Sequence, residues 1–262
     1  MRNVSWYGWL PDLPDHRDLL YTTYQTKLLT LPSMVDLRLH SNSLFPVYSQ
    51  GPLGSCTSQA IAKAVAFAQV KATQGMIQVQ PSRLFIYYNE RRFSGTEKVD
   101  AGAQLRDGIK AVVVHGVCDE QVWPYDVTKV NEEPPEEAYE VAMDYQAVSY
   151  RRLNNDLGEL QHCLASGFPF VFGMAVYESF ESDRTAHTGE VILPGKRERQ
   201  VGGHAVLAIG YDDEKQQFLV QNSWGDDWGQ HGCFTLPYEY ATNPGLCADR
   251  WVITMMENAP KN

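Results

Sequence analysis

Nothing in this 262-residue chain approaches the run of about 18 consecutive apolar residues that a membrane-spanning helix needs. The opening stretch MRNVSWYGWLPDLPDHRD lacks the apolar core that marks a secretory signal. No Cys-x-x-Cys pair occurs, and the five cysteines, at 56, 118, 163, 233 and 247, are odd in number and irregular in spacing. Neither a zinc site nor a disulfide framework is written into that pattern, and a reducing compartment is the simpler reading. Positive charge is scarce. The 22 Lys and Arg stand against 32 Asp and Glu, a formal net charge of −10, which argues against nucleic acid or an anionic membrane as partner. There is no internal repeat and no low-complexity tract. The densest charged run, NEEPPEEAYE (131–140), reads as a solvated loop and helix start. These absences lead us to expect a monomer that is cytoplasmic, or exported without a classical signal peptide as a secreted effector.

What is present falls into two halves. Residues 1–30, rich in Trp, Tyr, Pro and Asp, show no period and read as a separate N-terminal arm. From Cys56 to about Gly75 the pattern is helical, with Ala60, Ala64, Val65, Phe67, Ala68 and Ala72 as a small-residue face and Ser55 as N-cap. PSRLFIYYNERRF reads as a second helix with Pro81 at its first position, and GAQLRDGIKAVVVHG as a third, stopped by Gly116. After a short helix in NDLGELQHCLASG, the character changes. FPFVFGMAVYESF, GGHAVLAIGYDD, QQFLVQNSWG, GCFTLPY and RWVITMME are strand-length runs, and DDEKQQ is a hairpin loop. The expected fold class is α+β: a helical lobe over about 50–137, a β-rich lobe over about 138–262 joined by the approach segment 31–49, and a cleft where they meet.

The stretch SQGPLGSCTSQA places a thiol, Cys56, in the first turn of a helix behind a glycine turn. A free thiol titrates near about 8.5, and the unpaired N–H groups and partial positive charge of a helix N-terminus favour the thiolate. A thiol used for acyl transfer needs a base, a group that orients the base, and donors for the oxyanion. His204, behind two glycines in VGGHAVLAIGYDD, offers an open imidazole edge at the start of an apolar strand. Asn222, ending a strand in VQNSWGDDWGQHG, offers an amide oxygen to one imidazole nitrogen, with Trp224 placed to shield that bond from water. Each feature alone has an ordinary structural reading: a buried small residue, a core histidine, a tight turn with packed tryptophans.

Together, QGPLGSC, GGHAVLAIGYDD and NSWGDDWGQHG, in that order, resemble the papain family of cysteine peptidases, in particular microbial members with a short leader. His204 follows Cys56 by 148 positions and Asn222 by 166, the second spacing slightly long. The resemblance spans about Leu31 to Thr254 and implies a papain-like fold with a helical left lobe and a β-barrel-like right lobe. It implies Cys56 as nucleophile, His204 as general base and acid, Asn222 orienting His204, and Gln50 donating to the oxyanion beside the Cys56 N–H. Gly102 and Ala103 are then expected to line the cleft and pair with an extended substrate. Ala205 walls a roomy pocket for the second residue ahead of the scissile bond, and Trp224 borders the site. The implied reaction is peptide-bond hydrolysis through an acyl-enzyme, with an acidic limb for thiolate loss and a second limb for imidazolium loss, on peptide or protein substrates and without metal or organic cofactor.

This sequence departs from the family pattern in places. Thr57 stands where an aromatic usually follows the nucleophile, Leu53 and the VDAG segment stand where a disulfide is usual, and Cys233 replaces a common aromatic. Cys118, Cys163, Cys233 and Cys247 read as structural thiols, and His16, His40, His115, His162, His187 and His231 carry no motif. Isopeptide cleavage, transamidation and a catalytically idle peptide-binding protein remain open with the same residues. The arm either folds back onto the cleft with its aromatics as anchors, or packs on the back of a lobe for stability.

Overall fold

A computed structural model of the chain describes residues 7–23, 30–40, 47–75 and 79–258. Trp6 of the arm, arm residues 24–29 and residues 41–46 of the approach segment lie outside the described residues. The helices are α1 (Cys56–Ala72), α2 (Arg83–Phe93), α3 (Leu105–His115), α4 (Glu136–Ala142), α5 (Leu157–Ala165), α6 (Asp183–Thr188) and α7 (Tyr238–Thr242). The strands are β1 (Trp9–Leu10), β2 (Met34–Asp36), β3 (Ala103–Gln104), β4 (Tyr145–Arg152), β5 (Phe170–Tyr177), β6 (Gln200–Asp212), β7 (Gln217–Gln221), β8 (Cys233–Pro237) and β9 (Cys247–Asn258). Among the described residues no helix is long and apolar enough to cross a membrane.

Seven strands form one antiparallel sheet in the order β4-β9-β5-β6-β7-β8. β2 pairs with the last three residues of β6, beyond the part of β6 that β5 covers. The loop DDEKQQ closes the β6–β7 hairpin as its polar composition predicts. α1 lies against this sheet on one side and against α2 and α3 on the other. Every residue from Cys56 to Gln69 is buried. The sequence pattern suggests a single apolar face, but alanine at 60, 62, 64, 66 and 68 lets neighbours approach all round, so the helix is central rather than amphipathic. Ala72, assigned to that face, is exposed at the last turn.

Two other expectations need correction. Ser55 sits at the N-cap position of α1 but its side chain caps nothing; it meets the Tyr125 hydroxyl at 2.5 Å and accepts from Gln59 Nε2 at 3.2 Å. Pro81 lies two residues before the start of α2, because Ser82 takes the cap and accepts from the Phe85 N–H at 3.1 Å. A smaller cluster of Leu53, Leu84, Phe85, Cys118, Trp123, Ala138 and Ala142 fills the helical lobe. α4 belongs to it, so that lobe extends past 137 to about Ala142. All five cysteines are buried free thiols.

Candidate active site

Cys56 opens α1, His204 lies in the middle of β6, and Asn222 follows the last residue of β7. Because β6 and β7 are neighbours in one hairpin, the ring and the amide come from adjacent chain segments. His204 Nε2 and Asn222 Oδ1 are 2.7 Å apart, and Oδ1 also accepts from the Ser223 N–H at 2.8 Å. That pair engages Nε2, and Nδ1 is the nitrogen on the opposite edge of the His204 ring. Trp224 stacks on His204 at 5.0 Å between centroids with 34° between planes, covering the His204–Asn222 contact. Phe180 and Trp228 hold Trp224 in place edge-on.

The thiol of Cys56 reaches the same spot from the other side. It lies against the backbone of Ala205, the residue after His204, and against the backbone of Gly8 in the arm. Burial pushes the thiol up to about 11, and the backbone N–H groups of Ala205, Gly8 and Thr57 only moderate the rise. The helix N-terminus alone favours a thiolate; in this conformation the sulfur is shielded from water, which works against the charged form.

Gln50 is fully buried beside this sulfur-bearing turn. Its Oε1 accepts from Ser223 Oγ at 2.8 Å and its Nε2 donates to the Leu53 carbonyl at 2.8 Å. Its backbone is tied as well, Gln50 N donating to the Ser223 carbonyl at 2.9 Å and the Tyr125 hydroxyl to the Gln50 carbonyl at 2.9 Å. These contacts fix which face of the amide carries nitrogen and leave its second N–H for a ligand.

The segments that stand where the family usually has a disulfide are joined by a carboxylate. Asp100 accepts from the Gly54 N–H with both oxygens at 3.1 Å and from the Tyr87 hydroxyl, which in turn accepts from the Gly102 N–H at 3.1 Å. The nucleophile loop and the Gly102 edge are therefore held together without sulfur. Lys63, two turns along α1 from Cys56, escaped the sequence reading. It is buried, donates to the Asn222 carbonyl at 2.7 Å, and lies 5.1 Å from the Tyr48 ring centroid. Burial pushes its ammonium down to about 7. A lone lysine amid alanines was the available signal. Thr57, the unusual residue after the nucleophile, donates to the buried Glu90 at 2.5 Å, and burial holds that carboxyl well above the usual range.

The arm runs between the two lobes. β1 pairs parallel with β3, Trp9 opposite Ala103 and Leu10 opposite Gln104, and the Ala103 N–H donates to the Gly8 carbonyl at 2.8 Å. Gly8 passes so close to the nucleophile loop that a Cβ on it would fall 1.6 Å from the Gly54 carbonyl oxygen. Gly102, at φ +73°, meets Gly8 from the other side, where its own Cβ would lie 2.3 Å from the Gly8 oxygen. Tyr7 packs over Gly202, edge-on to His204 at 6.1 Å, with its hydroxyl on Glu181. Thus Gly102 and Ala103, expected to bind an extended peptide, pair here with the chain's own arm.

Beyond the cleft the arm is fastened by acids. Asp18 forms a two-pronged pair with Arg106 at 3.0 and 2.6 Å and takes Arg152 at 2.9 Å. Asp12 accepts from the Arg106 N–H at 3.1 Å and from Trp251 Nε1 at 2.9 Å. Leu20 bridges in parallel to Arg152. Both alternatives weighed for the arm therefore describe part of it: residues 7–10 lie in the cleft, and 12–20 pack on the body.

Comparison with known proteins agrees with this architecture. Residues 31–249 match the family described as papain family cysteine protease. A peptidase C1-like protein of Acanthamoeba polyphaga mimivirus is 40% identical over 268 residues, covering 94% of this chain and 86% of the relative. Zingipain-1 of Zingiber officinale is 26% identical over 222 residues, 83% of this chain and 92% of its own length. The crystal structure of xylellain, a cysteine protease from Xylella fastidiosa, superposes with a TM-score of 0.87 at 40% identity, covering 97% of this chain and 98% of that one.

Proposed function

Because the chain belongs to the papain family of cysteine proteases and is a cysteine endopeptidase, we propose that Cys56, His204, Asn222 and Gln50 carry the hydrolysis of a peptide or protein substrate and that the arm holds the enzyme latent. The observation that carries the first part is the junction of three elements: a buried thiol at the head of α1, set against the backbone of the residue after a histidine whose far nitrogen rests on Asn222. In this reading the Cys56 sulfur attacks the carbonyl while His204 Nδ1 takes and returns the proton. Asn222 fixes the tautomer and ring plane. The second N–H of Gln50 and the Cys56 N–H receive the developing oxyanion. Gln50→Ala is expected to lower kcat by about 100- to 1,000-fold with KM little changed, the loss typical of one oxyanion donor. Steady-state kinetics on a fluorogenic peptide measures it.

Latency rests on the same geometry. The arm occupies the edge where substrate backbone belongs and desolvates the thiol. A Gly8→Val variant, which cannot fit its Cβ beside Gly54, is the experiment for this part. The acids that fasten the arm make its release depend on pH. In the docked arm, burial and then the nearby Asp249 carboxylate push the Asp12 carboxyl up to about 6 from its ordinary 3.8. Facing it are Asp249 on β9, Arg106 on α3, Arg152 on β4 and Trp251. A group that holds its proton more tightly when docked favours docking while protonated. Its contribution is complete below about pH 4 and disappears as pH rises through about 6, a difference of roughly 3 kcal/mol. The activity of the parent relative to Gly8→Val, a ratio that cancels the catalytic groups' own titration, should rise between pH 4 and 6.5. In an Asp12→Asn background, where that carboxyl cannot titrate, the ratio should stay flat over the same interval.

A further inference from the structure

The arm leaves an imprint that identifies a selective pocket. The Trp9 indole lies flat against two glycines on neighbouring strands, Gly173 on β5 and Gly203 on β6. A Cβ at Gly173 would fall 1.9 Å from an indole carbon, and one at Gly203 would fall 2.7 Å from another. No side chain larger than hydrogen at either position leaves this slot open to a ring. At the ring's far edge its N–H donates to Asp249 Oδ2 at 3.2 Å. Asp249 is buried, on β9, with a left-handed backbone at φ 53°.

The partners of that carboxylate divide cleanly. Oδ1 takes Arg152 Nη2 at 2.9 Å, a contact within the body of the enzyme. Oδ2 takes Trp9 Nε1 and the Asp12 N–H at 2.7 Å, and both donors belong to the arm. When the cleft clears, Oδ2 loses at least the indole N–H, and a buried carboxylate oxygen short of donors is left at the end of a ring-wide slot. Leaving such an oxygen unmatched is costly, and a substrate that brings an N–H restores the match. The charge at the slot is already balanced. Arg152 keeps its pair with Asp249 when the arm's carboxylates withdraw, so a neutral donor suffices.

We propose that Asp249 is a specificity-determining residue, which makes the pocket now filled by Trp9 select a tryptophan side chain of the substrate over phenylalanine or leucine. Gly173 pairs with Ala205, the residue expected to wall the pocket for the second residue ahead of the scissile bond, so the selected position is that one. The proposal rests on the reading of the arm as the occupant of the substrate cleft.

The test uses the full chain carrying Gly8→Val and a pair of peptides that differ by one group. One has tryptophan at the selected position; the other has 3-benzothienylalanine, the same bicycle with sulfur in place of N–H. The expected result is a tenfold or greater advantage in kcat/KM for tryptophan, a similar advantage over phenylalanine and leucine, and loss of the tryptophan–benzothienylalanine difference in Asp249→Ala. Equal turnover of the two bicycles by the Asp249 enzyme overturns the proposal, and that comparison does not depend on the variant folding. A preference for arginine or lysine over tryptophan overturns it as well. If Gly8→Val raises turnover of no member of a mixed peptide library, it is the cleft reading that has failed; if it raises turnover without distinguishing the bicycles, only the pocket assignment has.

Discussion

Cys56→Ala, introduced into the cleft-cleared Gly8→Val background, is expected to lower peptide hydrolysis by roughly 10⁴-fold or more while leaving the fold unchanged, since loss of a covalent nucleophile removes the reaction path and not merely one stabilising contact. The substitution deletes one atom from a buried site at the head of α1. Its cost in stability should stay near about 1 kcal/mol, so an unchanged circular dichroism spectrum and near-parental thermal unfolding accompany the loss. The same position offers a chemical readout. An epoxide or iodoacetamide probe should label Cys56 slowly in the parent, where the sulfur is shielded and burial raises it to about 11, and much faster once the arm is displaced. The other four cysteines are buried thiols and give a low background. Near-parental hydrolysis by Cys56→Ala would remove the thiol from the mechanism and with it the roles given to His204, Asn222 and Gln50.

The second large effect is a gain. Gly8→Val should increase turnover by about 10- to 100-fold, because a side chain at residue 8 has no room between the Gly54 carbonyl and Gly102. A clash worth about 2–3 kcal/mol shifts a two-state equilibrium by that much. Residue 8 makes none of the contacts that fasten Asp12 and Asp18 to Arg106, Arg152 and Trp251, so the substitution acts on the passage through the cleft alone. If the arm serves stability alone, folded Gly8→Val hydrolyses peptide no faster than the parent. Assays of the two purified proteins at matched concentration separate the cases.

How much of this was legible in the sequence varied with the range of the interactions. The end of α3, the existence of α5 and the β6–β7 hairpin follow from local rules, among them a glycine stop at Gly116 and a charged hairpin tip. The order QGPLGSC, GGHAVLAIGYDD, NSWGDDWGQHG carries the family, and the structure places Cys56, His204, Asn222 and Gln50 around one point. α1 misled the pattern because alanine on every side gives no contrast between faces. Pro81 misled because serine three residues before the first helical phenylalanine is the better cap. The arm's two-residue strand is too short to show a period, and its acids find arginines about 90 and 130 residues away. Asp249, Lys63 and Asp100 act through partners brought from other elements, which no local spacing announces.

The crossing of Gly8 with Gly54 and Gly102 has a genetic consequence. Any missense change at a glycine codon introduces a β-carbon, so none of these three sites has a conservative neighbour to drift into. Changes at 54 or 102 would crowd the groove itself and spoil the enzyme along with its lock, whereas residue 8 serves only the lock. Under the proposed latency, a single nucleotide change there is enough to release the peptidase from its lock.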